Sequence, residues 1–250
     1  MIVLKTSREL AIMKQACMIS AGALQTVANA VEPGVSTAEL DRLAEKYIRS
    51  KGAVPNFKNY QGYPATACIS INNEVIHGIP SEKRVLQNGD IVSVDLGAMF
   101  EGYHGDNAAT FAVGDVSPLA KRLMDVTKES LYMGIKAARP GGRIGDISNA
   151  VQTYVEANGF SVVRQFVGHG VGTKLHEEPE VPNFGKAGHG IRLMPGMTLA
   201  IEPMVNAGGY QVKVLKDGWT TVTADGTLSA HFEHTVVITE DGPKIMTVAE

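Results

Sequence analysis

A single domain that mixes α-helices with antiparallel β-strands, and repeats its own plan once, is the fold class the sequence predicts. Three observations carry it. The chain has 250 residues, near the upper size for one hydrophobic core. Apolar residues recur at helical spacing in two pairs of segments, each pair followed by β-branched runs. Landmarks of the first half return 107 residues later: Pro33 with Pro140, Gly34 with Gly141, Tyr47 with Tyr154, Gly52 with Gly159.

The elements follow in order. Residues 7–31 place Leu10, Met13, Cys17, Leu24, Val27 and Val31 on one stripe, opened by the capping-box pattern Thr6-x-x-Glu9 and ended by Pro33-Gly34. A second helix starts at Ser36-x-x-Glu39, carries Leu40, Leu43, Ala44, Tyr47 and Ile48, and stops at Gly52. Ser117-Pro118 opens the third, through Leu119, Leu123, Val126, Leu131 and Ile135 to Pro140-Gly141. The fourth bears Ile147, Ala150, Val151, Tyr154 and Val155 and stops at Gly159.

The same offset aligns the strand segment LQNGDIVSVDLGAM with LMPGMTLAIEPMV, so that Asp95 meets Glu202. An insertion of about 20 residues around 213–228 shifts the register, after which Asp106 is set against Glu233. Repeats spanning about 7–110 and 117–238 of one 1–250 domain are expected. They would face two pairs of carboxylates across a pseudo-two-fold axis.

Those carboxylates are the chemistry of the chain. Asp95, Asp106, Glu202 and Glu233 each fall in or beside an apolar β-branched run, where an unpaired carboxylate is costly. Single acidic residues beside turns are ordinarily solvent-facing. In VSVDLG and LAIEPM the flanking positions are apolar on both sides, which favours burial. With His169, set between glycines in VGHGVG, the four read as the ligand set of a two-metal hydrolase. A turn at Glu101-Gly102 puts Asp95 and Asp106 on a hairpin, within one residue of register, with a bulge to absorb the mismatch. On its own strand Glu233 shares a face with His231 and Thr235, while Phe232 and His234 point away. His77 and His176 sit in two His-x-x-Pro turns, one per half, fit to flank a substrate; His104 and His189 are as well explained as surface residues.

Composition excludes several classes. A net charge of −3 offers no bulk attraction for nucleic acid. Two cysteines give no disulfide framework and fit a reducing compartment. No run is long and apolar enough for a membrane span, and the opening residues lack a signal-peptide core, so the cytoplasm is expected.

The stretches NYQGYPATACISINNEVIHGIP, GDIVSVDLGAMFEGYHGD, FVGHGVGTKLHEEPEVPNFG, LMPGMTLAIEPMV, KDGWT and LSAHFEHTVVIT together resemble the type I methionine aminopeptidases in their compact bacterial form. The resemblance covers essentially the whole chain. It implies an α+β pita-bread fold, duplicated αβ halves around a curved antiparallel sheet. It also implies removal of the initiator methionine from nascent polypeptides when the second residue is small. The metal ligands carry over to Asp95, Asp106, His169, Glu202 and Glu233, with Asp106 and Glu233 bridging, and the catalytic histidines to His77 and His176. Glu202 would take the proton of the attacking water, and His176 would steady the oxyanion. The methionine pocket maps to Tyr60, Tyr63, Cys68, Met204 and Trp219, with Phe57 and Leu175 beside them where Cys and Phe are commoner. Such a slot of aromatic and sulfur groups suits a polarisable thioether.

The resemblance further implies two divalent ions, Co, Mn, Fe or Zn, and a monovalent cation near Asn72, Glu74 and Ser229. The ribosome is the expected source of substrate, and a monomer the expected state. Proline-specific peptidases of the same fold, and a non-catalytic binding relative, are the rival readings. The first ordinarily carries a further N-terminal domain; the second should show broken ligands, and all five are intact. Neither the zinc-binding extension of eukaryotic type I forms nor the long insertion of type II forms is found in the chain, so one metal site is expected.

Overall fold

The computed structural model describes residues 2–249; Met1 and Glu250, the two ends of the expected 1–250 domain, lie outside the described residues. In chain order the elements are α1 (Ser7–Ala28), α2 (Thr37–Ser50), β1 (Val54–Pro55), β2 (Ala67–Ile71), β3 (Glu74–Ile76), β4 (Ile91–Phe100), β5 (Tyr103–Ala112), α3 (Pro118–Ala137) and α4 (Ile144–Ala157). There follow β6 (Ser161–Val162), β7 (Gly168–Gly170), β8 (Glu177–Val181), β9 (Thr198–Ile201), β10 (Met204–Asn206), β11 (Val212–Val214) and β12 (Thr221–Thr223). β13 (Ser229–His231), β14 (Glu233–Thr239) and β15 (Gly242–Ile245) complete the chain.

The helix signals act locally. Thr6 and Glu9 close a reciprocal capping box on α1, and Ser36 and Ser117 accept the N–H of the third residue of α2 and α3. α1 stops at Ala28, short of the expected 31, because the residue before Pro33 is pushed out of the helical region and the last turn unwinds ahead of it. At Gly22 the crossing of α1 and α2 is so close that a Cβ would stand 2.1 Å from the Tyr47 hydroxyl oxygen.

Nine strands form one antiparallel sheet in the order β1-β4-β5-β14-β9-β7-β8, with β2 on the edge of β4 and β15 on the edge of β14. Successive residues of a strand point to opposite faces. Val92, Val94, Leu96 and Ala98 of β4 face α1 and α2; Leu199 and Ile201 of β9, with Val236 and Ile238 of β14, face α3 and α4. All four helices therefore cover one face and leave the other for chemistry. Two small sheets, β13-β10-β6 and β11-β12-β3, stand beside it. The second is made largely by the 213–228 insertion, whose hairpin β11–β12 pairs with β3 just before His77.

Candidate active site

Register assembles the site. In β4–β5, Asp95 is paired with Ala108, and Ala108 is paired with Glu233 of β14. His234 is paired with Ile201, so one step along the same register sets Glu202 across from Glu233. Asp95, Glu233 and Glu202 thus share one row. The next row on the same face runs Thr235, Ala200, His169. Where β5 and β14 part, the Thr235 hydroxyl accepts the Asp106 N–H at 3.1 Å and donates to its carbonyl at 2.8 Å, tying Asp106 to that row.

The expected hairpin geometry needs correction. Asp106 is paired with Gly97, two residues from Asp95, and β4–β5 runs without a bulge. The two-residue turn at Glu101-Gly102, both at positive φ, sets that offset. An offset of two keeps both carboxylates on one face, whereas an offset of one would have separated them. Flanking positions apolar on both faces also proves too broad: Ser93 and Gly97 share the face of Asp95, and only the helix-covered side is uniformly apolar.

Asp106, Glu233 and His169 are buried, and a ligand atom from each lies within 4.8 Å of the others. His169 Nε2 stands 3.5 Å from Glu202 Oε1 and 3.9 Å from Asp106 Oδ2. Its Nδ1 lies 2.8 Å from the Gly170 carbonyl, which can only accept; Nδ1 therefore carries the proton and Nε2 offers a lone pair to the cluster. Asp95 Oδ1, Asp106 Oδ1 and Glu233 Oε1 are buried without a hydrogen-bond partner. Burial, and then mutual repulsion, hold Asp106, Glu202 and Glu233 well above the usual carboxylate range, and burial brings Asp95 to about 7. Burial lowers His169 to about 3. Buried, orphaned acceptors crowded around a neutral imidazole are the donor chemistry of a divalent-cation site, and an oxygen-rich one that suits Mn²⁺, Fe²⁺ or Co²⁺ at least as well as Zn²⁺.

The row of Asp95 continues outward to Cys68 on β2. There a cavity of about 270 Å³ begins, walled by Phe57, Tyr60, Tyr63, Cys68, Leu175 and Trp219 and floored by the carboxylates. Tyr63 meets Trp219 edge to face at 5.1 Å, and the Tyr63 hydroxyl donates to the Ala67 and Gly78 carbonyls, so this wall is fixed by packing and by bonds. Met204 departs from expectation. It is fully buried in a cluster with Val75, Ile76 and Val163 and does not line the cavity.

Sequence reasoning missed Phe166, Ile76, Gln61 and Val167, which also line the cavity. Phe166 meets the His77 ring at 5.7 Å. It opens the FVGHGVG stretch, yet its proximity to His77 arises only from the fold. His77 itself adopts a φ of +60° at the end of β3. Burial, with the nearby His176, lowers its pKa to about 4. His176 lies on the other side, 4.2 Å from the His169 ring, and its Nδ1 is 2.8 Å from the Tyr60 hydroxyl. His231 brings Nε2 to 3.7 Å from Glu202 Oε2. His104 is held by Asn56, and His189 is exposed beside the Ala187 carbonyl. Asn72 accepts the Ser229 N–H through its carbonyl, while the Glu74 carboxylate is engaged by Arg84.

Comparison with known proteins agrees with this geometry. Residues 11–240 match Metallopeptidase family M24. A methionine aminopeptidase of Clostridium perfringens is 55% identical over 248 residues, 99% of each chain. A solved methionine aminopeptidase of Thermotoga maritima superposes with a TM-score of 0.98 at 47% identity, over the full length of both chains. Prolidase from Pyrococcus furiosus superposes with a TM-score of 0.81 at 25% identity; the match covers 99% of this chain and 66% of the prolidase. The fold is the α+β pita-bread architecture that the sequence motifs implied.

Proposed function

The chain belongs to metallopeptidase family M24, and from that membership we propose that it removes the N-terminal methionine of polypeptides whose second residue is small. The observation that carries the reading is the row Cys68–Asp95: the apolar slot ends where the carboxylates begin. A side chain filling that slot places its own backbone, and no later peptide bond, over the acidic floor. Such an arrangement selects the first residue, and an unbranched thioether fits walls of aromatic rings and sulfur.

Asp95, Asp106, His169, Glu202 and Glu233 would hold two divalent ions, which supply Lewis-acid activation of water and of the scissile carbonyl. The chain's own groups do the rest. Glu202 stands beside the cluster, Oε1 3.5 Å from His169 Nε2 and Oε2 3.7 Å from His231 Nε2, and is the carboxylate assigned to take the proton of the attacking water. With burial lowering its pKa, His176 is neutral at pH 7. When the Tyr60 hydroxyl donates to Nδ1, the proton of His176 resides on Nε2, aimed away from Tyr60 as a donor to the developing oxyanion. His77, also neutral, contacts the peptide beside the scissile amide and crowds the second side chain. A monovalent cation would take carbonyl oxygens near Asn72, Glu74 and Ser229.

Nascent chains are the natural substrate, which places the work in the cytoplasm at or near the ribosome. One chain supplies every residue named, so a monomer suffices. Among the described residues no helix is long and apolar enough to cross a membrane. The test is release of methionine from Met-Ala-Ser, set against X-Pro peptides, with and without a chelator. Chelator-sensitive release from the first alone is the expected result. Cleavage of X-Pro peptides instead would assign the chain to the proline-specific branch, and no cleavage of either to a binding relative.

A further inference from the structure

Beside the catalytic cavity lies a second groove of about 490 Å³, which shares Val167, His169 and His176 with it. The far wall of this groove is β8. Glu180 is paired with His169 across β7–β8, so its side chain leaves the sheet on the same face as the ligand set. Glu178 also lines the groove, beyond the register shift between His169 and Gly170. Both glutamates are exposed, and neither carboxylate has a hydrogen bond or ion pair among the described residues. Glu177 differs: it is held by Lys5 at 2.6 Å, with both side chains buried. Among the described residues Lys174 is the one lysine or arginine on the groove, so two negative charges without an ion-pair partner there face one positive charge.

We propose that this groove receives the peptide from its third residue onward, and that Glu178 and Glu180 select lysine and arginine there over aspartate and glutamate. The inference rests on the aminopeptidase reading. With the first side chain in the slot and the second at the mouth beside His77 and His176, an extended chain advances about 3.3 Å per residue. One or two further residues then lie beyond His176, where the groove opens. The carboxylates stay solvated and touch no reacting atom, so they act by attracting or repelling charge along the exit path.

The experiment compares kcat/KM for Met-Ala-Lys-Lys, Met-Ala-Ser-Ser and Met-Ala-Glu-Glu with the metal-loaded enzyme. The basic peptide should exceed the acidic one by roughly tenfold, the scale of two solvated charge pairs changed from attraction to repulsion. That ratio should shrink at least threefold when salt rises from about 20 to about 300 mM, as screening shortens the reach of the glutamates. In the double variant E178Q/E180Q the ratio should fall to about one. The charge-matched control E129Q/E240Q, altered far from the groove, should keep the wild-type ratio. Equal rates for the three peptides, or a preference that survives E178Q/E180Q, overturns the groove assignment. Failure to release methionine from any of the three overturns the aminopeptidase reading itself.

Discussion

The two faces of the central sheet obey opposite rules. On the helix-covered face Val92, Val94, Leu96 and Ala98 are fully buried, and Gly105 allows α1 so close that a Cβ would stand 2.5 Å from the Cys17 backbone. On the other face the same strands carry Asp95, Asp106 and Glu233, with orphaned oxygens and pKa values pushed upward. Alternation along one strand therefore divides labour. One face supplies apolar burial, at roughly 25 cal/mol per Å², and the other concentrates charge that the bare protein tolerates poorly. Sites of this kind are held in place by the opposite face, not by their own interactions.

The comparison can be broken from either side. Glu202→Gln acts on the charged face and should lower turnover roughly 10³-fold or more, since it removes a ligand charge and a base. The melting temperature of the metal-free protein should hold or rise, because one member of a repelling group is gone. Near wild-type kcat would rule out both assigned roles. His176→Ala should lower kcat by roughly 10²–10³, the scale of a lost oxyanion donor, with metal content unchanged. A kcat within about twofold of wild type would remove that role. Gly105→Leu acts on the other face. Its side chain must displace backbone of α1, at about 3 kcal/mol, or roughly 6–12 °C in Tm. Thermal unfolding checks it, and an unchanged Tm would mean that α1 shifts freely.

The metal-free protein sharpens the contrast through pH. From about pH 7.5 upward the lowered histidines His77, His169 and His231 are neutral in both folded and unfolded states. The carboxylates then decide. Asp95 at about 7, with Asp106, Glu202 and Glu233 also raised by burial well above the ordinary carboxylate range of about 4, means that the folded state holds more protons. Stability fully present below the unfolded value is lost as pH rises through the folded ones. Chelator-treated protein should melt several degrees lower at about pH 9 than at about pH 7.5, and added Mn²⁺ or Co²⁺ should restore more at the higher pH, where the ligands are ionised. A flat or rising metal-free profile would contradict the burial of these groups. The smallest effect is on the chain itself. Val to Ile at the second position adds one methylene, the kind of change worth ~10–200-fold in discrimination, so with Ile2 the enzyme should leave its own Met1 in place. Intact-mass analysis of untagged protein showing mainly a species that begins at Ile2 would refute the size rule.

Much of the site was legible because its signals are local. Thr6, Ser36 and Ser117 announce helix starts through bonds made within three residues. The Glu101-Gly102 turn announces a hairpin, and acidic residues within apolar runs announce buried charge. Legibility ends where a property depends on what another segment does. Met204 sits in the LAIEPMV stretch with Glu202, yet faces the cluster of Val75 and Val163 instead of the cavity. Phe166 opens the FVGHGVG stretch with His169, yet forms a wall beside His77, which lies 89 positions earlier (166 − 77). The misplaced register of Asp95 and Asp106 has the same origin. Counting residues gives their separation, but the turn's geometry decides which residue pairs with which.

By itself the sequence determined the elements, their repetition and the identity of the ionisable groups, since capping, periodicity and residue chemistry act over a few positions. Tertiary structure decided which groups meet. It brought Asp95 of β4, Glu233 of β14 and Glu202 at the end of β9 into one row and turned the His169 lone pair toward them. It set Tyr60 against His176 and lined up Glu180 with His169 at the start of the second groove. These pairings join residues from 11 to more than a hundred positions apart. They exist only once packing of the four helices on one face has fixed the curvature and register of the sheet on the other.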